Sequence, residues 1–149
     1  MLSLQELSDR AEIGDLLVRE ASAMDRRDWA AWEAVFTPDA FIDYSANDGA
    51  RGNPAEVGAW LAAVLGRFHA CQHLSSNYEI NLDGDRAMVR SMQYIGVKMD
   101  ASDGPRVVFS GIWFRDSLER GPSGWRIAKR VEDLAWRHNF PGDFRPPEA

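Results

Sequence analysis

HLSSNYEINL (73–82), RAMVRSMQYIGVKM (86–99), RVVFSGIWFRDSLE (106–119) and WRIAKRVEDLAWRH (125–138) follow one another with only short breaks between them. The breaks carry turn chemistry: Asp83-Gly84-Asp85, Ser102-Asp103-Gly104-Pro105 and Gly121-Pro122-Ser123-Gly124. Apolar, β-branched and aromatic residues between Gly- and Asp-rich turns read as long strands joined by hairpins. This half of the chain is a meander of antiparallel strands.

The half before it reads differently. Leu4, Leu7, Ala11, Leu17, Ala21 and Met24 recur at helical spacings, so residues 4–24 form an amphipathic helix that Ser3 caps, with Glu6 completing a capping box. DWAAWEAVF (28–36) is a second, short helix capped by Asp28, and TPDA (37–40) breaks it. FIDYS (41–45) is a short strand and NDGARG (47–52) a turn. NPAEVGAWLAAVLGRF (53–68) is a third helix, capped by Asn53 with Pro54 at its first position. Helices first and strands after them give an α+β fold. A mixed, mostly antiparallel sheet curls around one concave face, and the three N-terminal helices close its wide end over a pocket. The whole chain, 1–149, is one domain, and its Pro-rich end, FPGDFRPPEA (140–149), holds no regular structure alone.

Composition narrows the function. A formal charge of −6 and the lack of a basic run argue against nucleic acid and anionic lipid as partners. Cys71 is the single cysteine, so no internal disulfide can form; the N-terminus lacks a signal-peptide pattern, and no apolar run is long enough for a membrane. A cytoplasmic protein is expected. Six tryptophans and seven phenylalanines provide either a thick core or an aromatic-walled cavity.

Several polar residues are placed where they could enter that cavity. Asp25 stands at the end of the first helix, one turn beyond Ala21, although a solvated DRRD turn explains it equally. His73, Ser75 and Asn77 share one strand face opposite Leu74, Tyr78, Ile80 and Leu82, and a solvent face would look the same. Of Asp43 and Tyr44 only one can point inward, and the phenol suits an apolar pocket better. Trp113 shares parity with Val107, Phe109 and Gly111, as a pocket wall or as core. Arg130 shares a face with Arg126 and Ala128. His69 and His73 form an H-x-x-x-H spacing, but a helix-to-strand change falls between them and no glutamate completes a zinc motif, so no metal is expected.

MDRRDWAAWEAVFTPDAFIDYS (24–45), QHLSSN (72–77) and GWRIAKR (124–130), in that order and spacing, make the chain resemble the SnoaL-like group of the nuclear transport factor two-like superfamily. Scytalone dehydratase and hexachlorocyclohexane dehydrochlorinase are among its members. The resemblance runs from about Leu4 to Trp136 and implies a cone-shaped, cystatin-like α+β barrel. It also implies that Asp25 hydrogen-bonds His73 as a catalytic dyad, and that Tyr44, Asn77 and Arg130 line the substrate site with Trp113, Glu20 and Met24. The match is not complete: Met24 stands where scytalone dehydratase has a second tyrosine, its further site histidine has no counterpart between Arg86 and Lys98, and Glu20 stands where the dehydrochlorinase has lysine.

The chemistry so implied is cofactor-independent. An imidazole oriented by a carboxylate removes a proton from carbon, and a leaving hydroxyl or halide departs from a hydrophobic, cyclic substrate. The same base would serve an isomerase or a polyketide-cyclase-like enzyme. The fold also serves non-catalytic binding modules and the β subunits of ring dioxygenases. A homo-oligomer, dimer or trimer, is expected, with the outer sheet face or the tail buried on a neighbour.

Overall fold

The computed structural model describes residues 1–147. Helix α1 (Leu4–Arg26) carries the Ser3/Glu6 capping box, and α3 (Pro54–Leu65) carries a second one between Asn53 and Glu56. Helix α2 (Trp29–Glu33) is shorter than the sequence indicates, because the chain turns directly into strand β1 (Phe36–Asp43). The expected break at 37–40 therefore lies inside a strand. Its pairing register shifts between Phe36 and Phe41, which accommodates Pro38, a residue unable to donate to the ladder.

Four long strands follow: β3 (Ala70–Asp83), β4 (Arg86–Ala101), β5 (Gly104–Gly121) and β6 (Gly124–His138), with β2 (Arg51–Gly52) a two-residue edge. The sheet order is β2-β1-β6-β5-β4-β3. All neighbours are antiparallel except β1 and β6, so the sheet is mixed, curved and unclosed, with β2 and β3 as its edges. At the β3–β4 hairpin Gly84 has φ 60°, a conformation that glycine adopts without Cβ strain. Among the described residues no helix is long and apolar enough to cross a membrane.

The core lies between the concave sheet face and the helices. It takes Ile13, Leu16 and Leu17 from α1, Trp32 from α2, and Val108, Ile112, Phe114 and Leu118 from β5. Leu4 and Leu7, counted from sequence toward the inner face of α1, are exposed instead. The inward stripe passes through Asp9, Ile13, Leu16 and Glu20, so it includes two carboxylates that a search for apolar periodicity passes over.

Bulges reset the alternation of two strands. In β3 the register shifts between Ser76 and Glu79, and Asn77 takes a left-handed φ of 54°. Before the bulge odd-numbered residues face inward; after it Tyr78, Ile80 and Leu82 do, while Leu74 is exposed on the outer face. In β6, Leu118 pairs with Ile127 and Ser117 with Lys129, leaving Ala128 as the extra residue. That bulge brings Arg130 and Glu132 into line with Trp125 and Ile127 on the buried side.

Candidate active site

Asp25 and His73 meet. The His73 Nδ1 stands 2.7 Å from Asp25 Oδ1, and the His73 backbone N–H donates to both carboxylate oxygens at 3.1 Å. Three features hold the pair. Arg27 closes α1 in a left-handed conformation, its guanidinium donates to the Phe68 carbonyl at 2.5 Å, and Phe68 leads straight into β3. A carboxylate in the last turn of a helix faces the negative end of the dipole, an unfavourable place that its bonds to His73 offset.

The imidazole is 4% exposed and the carboxylate 26%, so the ring is dry while its partner touches water. With Nδ1 engaged by Asp25, Nε2 is the nitrogen left for the cavity that His73 lines. Burial disfavours the charged ring, but the hydrogen bond to Asp25, then the contact with Cys71 (3.5 Å from Nδ1), outweigh it. The pKa is pushed up to about 9, so the ring is predominantly imidazolium at neutral pH rather than the free base expected of an ordinary histidine. Asp25, Cys71 and His73 each bring one potential ligand atom within 4.8 Å of the others. A metal ion there would have to break the 2.7 Å bond. His69 is not part of this group; it pairs with Asp100 at the surface.

The cavity is walled by Trp60, Leu61, Val64 and Leu65 of α3, and by Ile95, Val97, Ile112 and Phe114 of the sheet. Met24 and Tyr44 line it as the sequence indicates, Tyr44 from the residue just past β1. Gln93, Ser110, Asn47, Glu132 and Arg137 are its other polar residues. The Gln93 amide nitrogen donates to Glu20 Oε2 at 2.9 Å, and its oxygen has no partner.

Four expected substrate contacts lie elsewhere. Asn77 is exposed at the β3 bulge. Trp113 faces the opposite side of β5, beneath the Arg90 guanidinium at 3.6 Å. Glu20 and Arg130 are fully buried behind the cavity wall. Arg130 donates twice to Asp116, each at 2.8 Å, and lies 2.9 Å from Glu20, which also accepts from Trp32 at 3.1 Å. This network supports the wall without forming its surface.

The tail closes the cavity mouth. Phe140, Phe144 and Pro146 join the lining, Phe144 stacks on Phe68, and Arg67 holds the Arg145 carbonyl at 2.7 Å. Trp60 donates to the Pro147 carbonyl at 3.1 Å. Residues 140–147, which with the outer sheet face were the two surfaces expected to meet a neighbour, pack on their own chain; 148 and 149 lie outside the described residues. Phe144→Ala is expected to cost about 1–2 kcal/mol of stability, a partly buried aromatic's share, and to raise binding of the dye ANS as the mouth opens. Thermal melts and dye fluorescence read the two effects.

Residues 5–131 match the SnoaL-like domain family. The chain belongs to that family. An uncharacterized protein of Mycobacterium tuberculosis H37Rv, Rv2910c, is 43% identical over 132 residues, 89% of each chain. A solved structure from Novosphingobium aromaticivorans, named as a candidate scytalone dehydratase, superposes with a TM-score of 0.80 at 18% identity, covering 94% of this chain and 91% of that one. A type 2 hexachlorocyclohexane dehydrochlorinase does so with 0.79 at 18% identity, covering 98% and 99%. At such identities these two structures are evidence of a shared fold.

Proposed function

We propose that this SnoaL-like protein is a cofactor-independent lyase that removes a proton from a carbon of a hydrophobic cyclic substrate, with His73 as base and Asp25 as its orienting partner. The observation that carries this reading is the 2.7 Å contact between a nearly dry imidazole and a carboxylate, at the wall of an apolar cavity. A carboxylate on Nδ1 fixes the tautomer and stabilises the imidazolium that forms when Nε2 accepts the proton. The same imidazolium can then return a proton to a departing hydroxyl, while halide needs none. The dehydratase and dehydrochlorinase folds among its structural neighbours agree with elimination.

Proton abstraction can be tested before the leaving group is known. Cyclic ketones incubated with the protein in D₂O should exchange their α-hydrogens faster than in buffer, as followed by NMR. His73→Ala should return exchange to the buffer rate. Because the free base forms as pH rises through about 9, the exchange rate should climb to that point and then level. Buffer-rate exchange across the whole ketone panel would defeat the proposal.

A further inference from the structure

Cys71 and His73 stand two residues apart on β3, ahead of its bulge, so their side chains share the inner face, and the Asp25 carboxylate reaches them from the end of α1. The Cys71 Sγ lies 3.5 Å from His73 Nδ1, which lies 2.7 Å from Asp25 Oδ1. A tetrahedral zinc ion, with bonds of about 2.3 Å to sulfur and about 2.0 Å to nitrogen, holds those two atoms about 3.5 Å apart. The strand therefore already sets thiol and imidazole at a chelating separation. The nitrogen–oxygen edge of such a site is about 3.3 Å, so the carboxylate alone must withdraw, by roughly 0.6 Å. It is partly exposed and sits in the last turn of its helix, so it has room to do so.

The route to this group differs from the substrate's. His73 lines the apolar cavity, whereas Asp25 and Cys71 line a second cleft, with Gln72 and Lys98 beside them. An ion in that cleft meets Sγ, Oδ1 and Nδ1 while Nε2 still faces the cavity. Thiolate and imidazole favour soft and borderline ions such as zinc and cadmium, whereas magnesium and calcium take oxygen shells. Lys98 at the cleft further disfavours an ion held by charge alone.

We propose that Asp25, Cys71 and His73 form an inhibitory site for one thiophilic divalent cation, which takes Nδ1 and holds the ring in the tautomer that cannot act as base. On binding, Sγ, Nδ1 and Oδ1 each form a bond to the ion, and the thiol and Nδ1 protons pass to solvent. The hydrogen bond between Nδ1 and Asp25 is lost. The proton left on the ring sits on Nε2, so the atom facing the cavity donates where proton abstraction needs an acceptor. The loss of activity rests on the lyase reading; the site itself does not.

Cadmium chloride titrated into the full chain tests the site directly. One equivalent is expected to give the ultraviolet charge-transfer band of a cadmium–thiolate bond and to move the His73 Nδ1 signal in nitrogen NMR. Zinc chloride at saturation should lower the maximal rate of ketone exchange by about 10²- to 10⁴-fold, the share a positioned base supplies, with little change in KM. EDTA should restore the rate, and magnesium chloride should leave it unchanged. Cys71→Ala should lose the band and weaken zinc inhibition by more than the about 10- to 100-fold that outer partners of a metal carry, each variant being read against its own metal-free rate. His69→Ala, which removes the surface pair with Asp100, should respond as wild type does. Absence of the thiolate band, a band with an unmoved His73 signal, or zinc inhibition undiminished in Cys71→Ala overturns the inference. So does zinc inhibition that raises KM alone, which would put the ion in the cavity. Should Cys71→Ala not fold, Cys71→Ser, closer in shape and a far weaker ligand, decides in its place. Both spectroscopic signals in a protein that exchanges no ketone would keep the site and remove the lyase reading alone.

Discussion

Asp25→Asn is expected to lower proton abstraction by about 10²- to 10⁴-fold, the range a positioned base supplies, while leaving the melting temperature at pH 9.5, where His73 is mostly neutral, within a few degrees of wild type. The asparagine oxygen can still accept from the His73 backbone N–H, and the change removes a negative charge from the negative end of α1. Fold stability therefore changes little once His73 is neutral, whereas at neutral pH losing the partner that raises the His73 pKa to about 9 costs roughly 2–3 kcal/mol. What is lost is the charge that stabilises an imidazolium. The rising limb of the pH–rate profile should move from about 9 toward the ordinary histidine value near 6.5 as well. His73→Ala should remove the limb altogether. A purely structural Asp25 would give the opposite pattern, a melting point lowered at pH 9.5 as well, with an unmoved pH profile. Exchange kinetics and a melting curve on the same two variants separate these cases.

The order of elements was legible because turn chemistry and strand composition are local. The hairpin at Gly84, the caps at Ser3, Asp28 and Asn53, and the meander from β3 to β6 all stand as read. Which way side chains point was less legible, because a single bulge inverts every residue beyond it. Counting in twos puts Asn77 on the face of His73, across a place where β3 inserts an extra residue. The same counting puts Arg130 on the face of Ala128, which is itself the bulge residue. Trp113 failed differently. Both faces of β5 are apolar, since Tyr94, Phe109 and Trp136 cluster on the outer side, so alternation had no polar face against which to orient the strand.

The dyad itself could not be read from local pattern. Asp25 and His73 are brought together by the closure of α1 over β3, and only the resemblance supplied that pairing. Glu132 was within reach, however. It lies two residues after Arg130 on one strand, so any argument that turned the arginine inward also turned the glutamate inward. That the tail covers its own cavity is not legible from pattern, because Pro-rich segments carry no periodicity, although Phe140 and Phe144 signal that it covers something.

The Arg130→Met variant is expected to lose about 3–5 kcal/mol, roughly 10 °C in melting temperature for a chain of this size. Arg130, Asp116 and Glu20 are all fully excluded from water, with one guanidinium serving two carboxylates. Burial raises the Asp116 pKa, Arg130 opposes that, and Glu20 adds to it. Removing the cation leaves two buried acids facing each other, so at least one must take up a proton, and the loss should grow as pH rises. The methionine fills most of the arginine's volume and can still pack on Phe114, whose ring lies 4.0 Å from the guanidinium, so the deficit reports charge rather than a cavity. Adding Asp116→Asn and Glu20→Gln to Arg130→Met should recover much of the stability. A buried ion network can be replaced by neutral groups at little cost, whereas breaking one side of it cannot. If Arg130→Met melts as wild type does, the guanidinium is not balancing those acids. If it folds normally but fails to accelerate ketone exchange, the arginine serves the ligand directly, from a position the cavity wall now hides. Melting curves at pH 5 and pH 8 on the single and triple variants, with cyclic-ketone exchange assays on each, tell these outcomes apart.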